Sequence, residues 1–174
     1  MKRDDNVIAE TPRLIIRKFL ETDLDNLARL FGNPQVMQFM GDEVFSREQS
    51  EQELVKYLRQ YQERGWGLQA AVTRSTDDFV GRCGLMQWEL PAIQGIEVSY
   101  ALLSEFWDKG LATEAASAVR DYAFDSLEIN KLISLVDTGN DRSIKVAQKV
   151  HDSLEKEIIF FGQETLVYST ISQG

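Results

Sequence analysis

The sequence predicts a single mixed α+β domain of 174 residues. β-rich runs and amphipathic helical runs alternate along it, with no repeat, low-complexity stretch or linker to mark a boundary. A hydrophobic fraction of 43% is sufficient for one packed core. In addition, Ser99 to Leu127 has the pattern of a strand, a sharp turn around Lys109 and Gly110, and a long amphipathic helix. We therefore expect one α+β domain over residues 1–174.

The N-terminal third predicts one strand and two helices. Residues 1–9 are polar and predict a flexible lead-in, and the β-prone run Thr11–Phe19 predicts the first strand. Helix signals follow from residue 22 or 23 to Phe31, and Ser46 caps a second amphipathic helix that Gly65 ends. The apolar residues of the segment 35–45 belong either to the core or to a substrate cleft.

From Trp66 onward the pattern is mainly β-rich. A helix that starts at the Gly110 turn and a short helix over Asn140–Val150 interrupt the strands. Hairpin turns at Ser75–Asp78 and Pro91–Gly95 join three antiparallel strands, and Gly162 turns a closing hairpin. With the first strand this makes seven strands, of which six lie here: Leu68–Arg74, Phe79–Leu90, Ile96–Leu103, Lys131–Asp137, Leu154–Phe161 and Leu166–Ile171.

The net charge of −9 argues against nucleic acid and against an anionic membrane surface as the main partner. It suits a cationic partner such as an amine, or it serves solubility alone. No apolar run approaches the length of a membrane span, and the N-terminus does not resemble a secretory signal. Cys83 is the single cysteine, so no intramolecular disulfide framework is possible. These features predict a cytoplasmic protein.

The turn before the long helix collects unpaired backbone N–H groups and the positive end of a helix dipole, which together attract phosphate. An ordinary strand–turn–helix would have the same pattern, so the turn alone does not distinguish the two interpretations. A nucleotide-hydrolase P-loop is excluded, because Lys109 precedes Gly110 and Leu111 follows it, whereas a P-loop has lysine directly after its last glycine.

Three segments in order resemble the GNAT superfamily of N-acetyltransferases, in particular its RimJ/RimL-like branch. The opening TPRLIIRKF is similar to the first strand of that branch. The run FWDKGLATEAA, Phe106–Ala116, resembles the loop that binds the pyrophosphate of acyl-CoA. The N-x-x-S element, Asn140–Ser143, resembles the segment that contacts the pantetheine arm. The resemblance covers nearly the whole chain, from Thr11 to Ile171.

The resemblance implies a central mixed, mostly antiparallel seven-stranded sheet flanked by helices. Its fourth strand (Ile96–Leu103) and fifth strand (Lys131–Asp137) splay apart, and the pantetheine arm of acetyl-CoA lies between them. It implies acetyl-CoA as the co-substrate and no metal. The residues implied in cofactor binding are Leu102, Leu103, Lys109, Gly110, Leu111, Ala112, Thr113, Asn140 and Ser143.

The chemistry implied is acetyl transfer to a primary amine, which must lose a proton before or during attack. Glu97 on the fourth strand is the candidate base or amine-binding group; the alternative is a solvent-facing carboxylate without a role. The resemblance to other GNAT branches implies a tyrosine further along the chain as the group that protonates the leaving thiolate. No tyrosine lies between Ser126 and Phe161 here, so the Ser143 hydroxyl is the candidate substitute. The direction of the Tyr100 side chain is not predictable. Cys83 is either a buried, inert thiol or an acyl-transfer nucleophile.

Two positions depart from the branch pattern. Asp108 stands where glycine is usual, and a carboxylate beside pyrophosphate predicts weaker CoA binding unless it faces solvent or pairs with Lys109. His151 stands where a glycine usually turns the chain. It would be strained in the left-handed conformation. A catalytic role for this histidine and an exposed position at a helix end both remain open.

The acceptor is predicted to be a protein N-terminal α-amine or a small-molecule amine. The aromatic residues Phe39, Phe45, Trp66 and Trp88 either form the wall of its cleft or belong to the core. The alternative function is a non-catalytic acyl-CoA-binding module that has lost its transferase chemistry. We expect a monomer or homodimer, with neither nucleic acid nor membrane as a partner.

Overall fold

The computed structural model describes residues 4–41 and 43–174, which form an eight-stranded sheet with helices on both faces. The strands are β1 (Val7–Glu10), β2 (Leu14–Lys18), β3 (Leu68–Thr73), β4 (Phe79–Leu90), β5 (Ile93–Leu102), β6 (Lys131–Asp137), β7 (Ser153–Phe160) and β8 (Gln163–Ile171). The helices are α1 (Leu24–Phe31), α2 (Pro34–Met37), α3 (Arg47–Arg64), α4 (Leu111–Asp125) and α5 (Asp141–Val150).

The strand order in the sheet is β1-β2-β3-β4-β5-β6-β8-β7. All neighbours are antiparallel except β5 and β6, which are parallel and share the single backbone pair Glu97–Ile133. This confirms the mixed, mostly antiparallel sheet. The fourth and fifth strands of the prediction, which were expected to splay apart, are β5 and β6 of the structure.

The sheet has one strand more than the seven predicted. The additional strand is β1, which pairs with β2 through Val7–Arg17 and Glu10–Ile15. Ile8 and Ala9 pack against the core, and this packing orders a segment of four residues, which is too short to predict a strand by its own pattern. The predicted lead-in over residues 1–9 is therefore wrong from Val7 onward, and residues 1–3 lie outside the described part of the chain.

The helix signals are confirmed. The Ser46 hydroxyl accepts the Gln49 N–H, the Gln49 side chain accepts the Ser46 N–H, and Gly65 ends α3 at φ +81°. The segment 35–45, left open by its sequence, contributes to the short helix α2, whose Val36 and Met37 are buried in the core. These two residues therefore belong to the core.

The hairpins differ from prediction mainly in their bounds. In the β4–β5 hairpin Leu90 pairs with Ile93, so β5 begins three residues before the predicted Ile96. Phe161 and Gly162 turn the β7–β8 hairpin with φ values of +46° and +79°. Two successive positive φ angles are typical of a type I′ turn, which matches the twist of the strands.

Helix α4 packs on one face of the sheet, and α1 and α3 pack on the other. Ala115 and Ala116 are fully buried, and these small side chains let α4 approach the sheet closely. Along β5, Val98 and Leu102 pack on the α4 side, whereas Ala101 packs on the opposite side. Among the described residues, no helix combines the length and the apolar character needed to cross a bilayer.

Candidate active site

The site begins where β5 and β6 part. Beyond the Glu97–Ile133 pair, side chains replace the ladder: the Ser134 hydroxyl donates to the Val98 carbonyl at 2.7 Å. The Leu103 N–H donates to Val80 on β4, so alternation along the strand directs the Leu102 backbone toward β6. The gap between the strands is therefore lined by main-chain groups that an amide-rich ligand could pair with.

Leu102 and Leu103 differ in what they offer to this gap. The Leu102 carbonyl accepts a hydrogen bond from Trp107 Nε1 at 2.8 Å, which leaves its N–H facing β6. The Leu103 N–H is bound to Val80, and its carbonyl accepts the Phe106 N–H. The main chain of Leu103 is thus engaged within the fold, and of these two predicted cofactor contacts only Leu102 presents a group to the gap.

The predicted pyrophosphate loop leads directly into α4. Asp108 and Gly110 have left-handed φ values of +58° and +76°, and α4 starts at Leu111. The first intrahelical bond is from Glu114 N to Gly110 O at 3.1 Å. The N–H groups of Leu111, Ala112 and Thr113 therefore lie in the first turn without an intrahelical acceptor, at the positive end of the helix dipole.

Arg13 supports this loop, a role that the sequence did not reveal. Its Nη1 donates to the Lys109 carbonyl at 2.8 Å, and its Nε pairs with the Glu114 carboxylate at 2.7 Å. A Cβ built on Gly110 would lie 3.4 Å from Arg13 Nη2, in ordinary contact, so the positive φ explains the glycine better than crowding does. Arg13 and Glu114 lie within the family-like segments, but their sequence separation of 101 hid the contact.

The Lys109 side chain turns away from the first turn of α4. Its ammonium donates to the Glu105 carbonyl at 2.8 Å and lies 5.7 Å from the Phe106 ring centroid. The Lys109 ammonium is therefore engaged within the loop itself.

The N-terminus of α5 lies beside the same gap. The Asn140 side-chain oxygen accepts the Ser143 N–H at 3.2 Å and so caps the helix. The Tyr100 hydroxyl donates to the Ser143 carbonyl at 3.1 Å, which gives the direction of Tyr100. Burial raises the pKa of Tyr100, so its hydroxyl remains protonated. Tyr100 thus holds α5 against β5 and places Ser143 near the gap.

One alternative from the sequence was an ion pair between Asp108 and Lys109, and the structure does not contain it. The Asp108 carboxylate oxygens lie 3.2 and 3.3 Å from Nε of Arg142, in the first turn of α5. The Arg142 guanidinium carbon also lies 4.7 Å from the Trp107 ring centroid. The ion pair thus connects the loop before α4 with the start of α5.

Glu97 is buried where the strands part, with 7% of its surface exposed, so the solvent-facing alternative is wrong. Trp88 Nε1 donates to one carboxylate oxygen at 2.6 Å, and the Leu135 N–H donates to the other at 3.3 Å. Burial raises the pKa of Glu97 to about 7, although both hydrogen bonds oppose the shift. A carboxyl group with this pKa can exchange a proton near neutral pH.

His151 contacts Ser134, the residue that links β6 to β5 next to the Glu97–Ile133 pair. His151 has an extended backbone with φ −111°, and it is 6% exposed, so the predicted exposed position and the left-handed strain are both wrong. Because the Ser134 hydroxyl donates to Val98, the His151 Nε2 at 2.7 Å must donate to Ser134. Burial lowers the pKa of His151 to about 4, which keeps it neutral.

The remaining candidates are the Cys83 thiol and the four aromatic residues of the predicted acceptor cleft. Cys83 is fully buried, and burial raises its pKa to about 12, so it remains an unreactive thiol at neutral pH. Of the four aromatic candidates, Trp88 contacts Glu97 and Phe45 packs on Phe31 at 5.1 Å. Trp66 is stacked by Arg64 at 4.1 Å, and Phe39 is 39% exposed.

The family model described as Acetyltransferase (GNAT) domain matches residues 13–151. The chain belongs to the GNAT family and is an N-acetyltransferase. This confirms the resemblance found in its sequence. The match spans β2 to the end of α5, and it includes the loop before α4 and the N-x-x-S element.

Individual relatives and solved structures agree with this membership. The uncharacterized protein YkkB of Bacillus subtilis (strain 168) is 30% identical over 161 residues, which cover 91% of this chain and 92% of YkkB. RimL, the ribosomal L7/L12 alpha-N-protein acetyltransferase in complex with coenzyme A, matches with a TM-score of 0.77 and 18% identity over 95% of this chain and 97% of that one.

A second GNAT neighbour contains both coenzyme A and an amine. It is the spermidine N-acetyltransferase from Vibrio cholerae in complex with CoA and spermine, with a TM-score of 0.75 and 18% identity over 92% of this chain and 96% of that one. At such identities, these structural similarities establish a common fold.

Proposed function

We propose that this protein transfers the acetyl group of acetyl-CoA to a primary amine by direct attack on the thioester in a ternary complex. The observation that carries the proposal is the buried Glu97 carboxyl, with a pKa of about 7, at the point where β5 and β6 part. Family membership supports acetyl transfer to amines in general, and the roles below are our assignment.

The cofactor would extend from the gap between the strands to the first turn of α4. The residues present fit its chemistry: Leu102 offers an N–H to the amide-rich pantetheine arm, and the first turn of α4 offers unpaired N–H groups to the pyrophosphate. On this assignment Lys109, Gly110, Leu111, Ala112 and Thr113 contribute backbone groups. Asn140 and Ser143 border the arm from α5. Acetyl-CoA supplies the activated acetyl group.

Glu97 would accept the proton that the amine loses, either directly or through one water molecule. At pH 7 a carboxyl group with a pKa of about 7 is half ionised, so it can take a proton and return it within one turnover. Trp88 and Leu135 hold both of its oxygens and so restrict its orientation. The amine then attacks the thioester carbonyl carbon, and the C–S bond breaks as the amide forms.

The departing thiolate takes up a proton from the Ser143 hydroxyl, which is our candidate donor. Ser143 regains a proton from solvent, and Glu97 releases the amine proton to solvent, so that both groups return to their starting states. The Ser143 N–H and carbonyl are engaged by Asn140 and Tyr100, which fixes its backbone beside the gap. Because Cys83 is buried and protonated, direct transfer is favoured over a route through an acyl-cysteine.

The acceptor in this proposal is either a protein N-terminal α-amine or a small-molecule amine, of which polyamines are one kind. RimL and the spermidine acetyltransferase, which share this fold, act on one acceptor of each class according to their names. The net charge of −9 suits a cationic acceptor in both cases.

The test measures thiol release from acetyl-CoA with spermidine, with N-terminal peptides and with small primary amines, and identifies products by mass spectrometry. We expect thermal stabilisation by acetyl-CoA and amine-dependent release of free CoA with at least one acceptor class. Stabilisation without turnover on any amine would favour the non-catalytic binding module. Absence of any binding of acetyl-CoA would contradict both functions.

A further inference from the structure

The Asp108–Arg142 pair leaves most of the Arg142 guanidinium uncommitted. Only Nε contacts the Asp108 carboxylate, at 3.2 and 3.3 Å, and these distances are long for a charge-assisted hydrogen bond. Among the described residues, none accepts a hydrogen bond from Nη1 or Nη2 of Arg142. The guanidinium carbon of Arg142 also lies 4.7 Å from the centroid of the Trp107 ring, within the range of a cation–π contact.

Arg142 differs in this respect from the other two cations near the start of α4. The Lys109 ammonium is turned back to the Glu105 carbonyl. Arg13 lies in a 2.7 Å ion pair with Glu114 through Nε, and its Nη1 donates to the Lys109 carbonyl, so two of its three nitrogens are engaged. Arg142 lies in the first turn of α5, and its contact with Asp108 brings it beside the loop that leads into α4; its Nη1 and Nη2 donors remain free among the described residues.

A pyrophosphate at the first turn of α4 brings two negative charges into a protein whose own net charge is −9. Backbone N–H groups supply hydrogen bonds but no formal charge. The fork geometry of a guanidinium matches two oxygens of a phosphate group, and it binds best when its orientation is fixed beforehand.

We propose that Arg142 binds the pyrophosphate of the cofactor through its free Nη donors, while Asp108 and Trp107 hold it in position. The inference rests on the proposed function, because it assigns a further contact at the same cofactor site. It also gives Asp108 a positive role: the carboxylate that replaces the usual glycine orients the arginine, and it does not merely repel phosphate.

The test compares the affinities of CoA, dephospho-CoA and pantetheine for four proteins by calorimetry and competition. These are the wild type, Arg142→Gln, Asp108→Asn and the control Arg47→Gln, which removes another exposed arginine, paired with Asp25 at 2.6 Å. We expect Arg142→Gln to weaken CoA and dephospho-CoA about fivefold to tenfold at low salt, with a smaller effect at high salt. Pantetheine, which lacks phosphate, and the control variant should be unaffected.

The Asp108→Asn variant separates orientation from repulsion. We expect it to weaken CoA binding about twofold to threefold, because Arg142 loses its fixed position. Tighter CoA binding in this variant would overturn the role of Asp108. Unchanged CoA affinity in Arg142→Gln, or an equal loss for pantetheine, would overturn the contact with phosphate. An effect on CoA without one on dephospho-CoA would overturn its assignment to the pyrophosphate.

These outcomes remain distinct from failure of the proposed function. If wild-type protein does not bind CoA, the function itself fails. If the wild type binds CoA and transfers acetyl groups but Arg142→Gln behaves like the control, only this inference fails.

Discussion

The substitution Glu97→Gln removes a buried carboxyl group at nearly constant shape. Two N–H donors, from Trp88 and Leu135, point at the two carboxylate oxygens. A glutamine offers one oxygen and one NH₂ group, so one donor loses its acceptor while the packing volume is kept. The variant therefore tests the charge and proton affinity of Glu97 with little change in the core.

The magnitude follows from the pKa of Glu97, which burial raises from the usual glutamate value of about 4.5 to about 7. A difference of this size corresponds to about 3 kcal/mol against the ionised form, as an upper bound. Because the folded-state pKa is the higher one, the contribution of Glu97 to the free energy of unfolding falls as pH rises from about 4.5 through about 7. Glu97→Gln lacks this decrease, so we expect its stability relative to wild type to improve with pH.

For catalysis, the wild-type kcat/KM should rise through pH 7 as Glu97 ionises, and the variant should lose this inflection. Loss of a general base typically lowers the rate about 10²- to 10⁴-fold. The assay measures kcat and KM for the amine from about pH 6.5 to about 9.5. An acceptor amine of low pKa removes the acceptor's own titration from the profile. Glu89→Gln is the matched control, on the same hairpin and exposed.

Each role of Glu97 has its own kinetic result. Loss of kcat with unchanged acetyl-CoA affinity, partly rescued at high pH, is expected of a base. A raised KM for the amine with an unchanged kcat would show that Glu97 binds the ammonium form. A change in kcat of less than about threefold would refute its assignment as the base.

Three further changes test other parts of the site. Gly110→Val should weaken acetyl-CoA binding sharply in calorimetry, because a branched residue is strained at φ +76°. The control Gly162→Val, at φ +79° in a distant hairpin, should not weaken it. Equal affinities of the two folded variants for acetyl-CoA would refute the assignment of the pyrophosphate loop. Trp88→Phe removes a hydrogen bond that lowers the pKa of Glu97, so the inflection in kcat/KM should move to higher pH; an unmoved inflection would show that Trp88 does not tune the base. The lowered pKa of His151 contributes to the free energy of unfolding, and this contribution should be lost as pH falls from about 6.5 to about 4, by at most about 3 kcal/mol. Urea titrations of wild type and His151→Gln measure it. The same pH dependence of stability in both proteins would contradict the prediction.

The pH dependences of Glu97 and His151 have opposite signs. Over nearly the same range, the raised pKa of Glu97 makes stability fall with pH, whereas the lowered pKa of His151 makes it rise. The two contributions largely cancel in the wild type. Each therefore becomes visible only by comparison of a variant with wild type.

Most of the fold was predictable because its signals are local. Periodicity, the Ser46 cap and the glycine turns are properties of a few neighbouring residues, and they predicted four of the five described helices and seven of the eight described strands; the short helix α2 was not predicted. Strand β1 was missed because pairing with β2 and packing against the core order it, and neither contact is visible in a segment of four residues that follows a charged N-terminus.

The candidate site was predictable in its residue types but not in its contacts. The burial of Glu97 depends on residues from three strands, and Arg142 lies 34 positions from its partner Asp108. His151 illustrates the limit most clearly. A charged-type residue at the end of a helix is usually exposed, and only the packing of α5 on the sheet places it behind Ser134.

Because β5 and β6 share a single backbone pair, the two parts of the sheet on either side of them are only weakly connected. Strands β1–β5 form one continuous ladder and β6–β8 form another, and Glu97–Ile133 is the only place where the described strands of the two ladders are paired. Such a junction lets the two ladders act as separate cooperative units in amide hydrogen exchange. A ligand that contacts both sides of the gap would join these units, so their exchange should slow together when it binds.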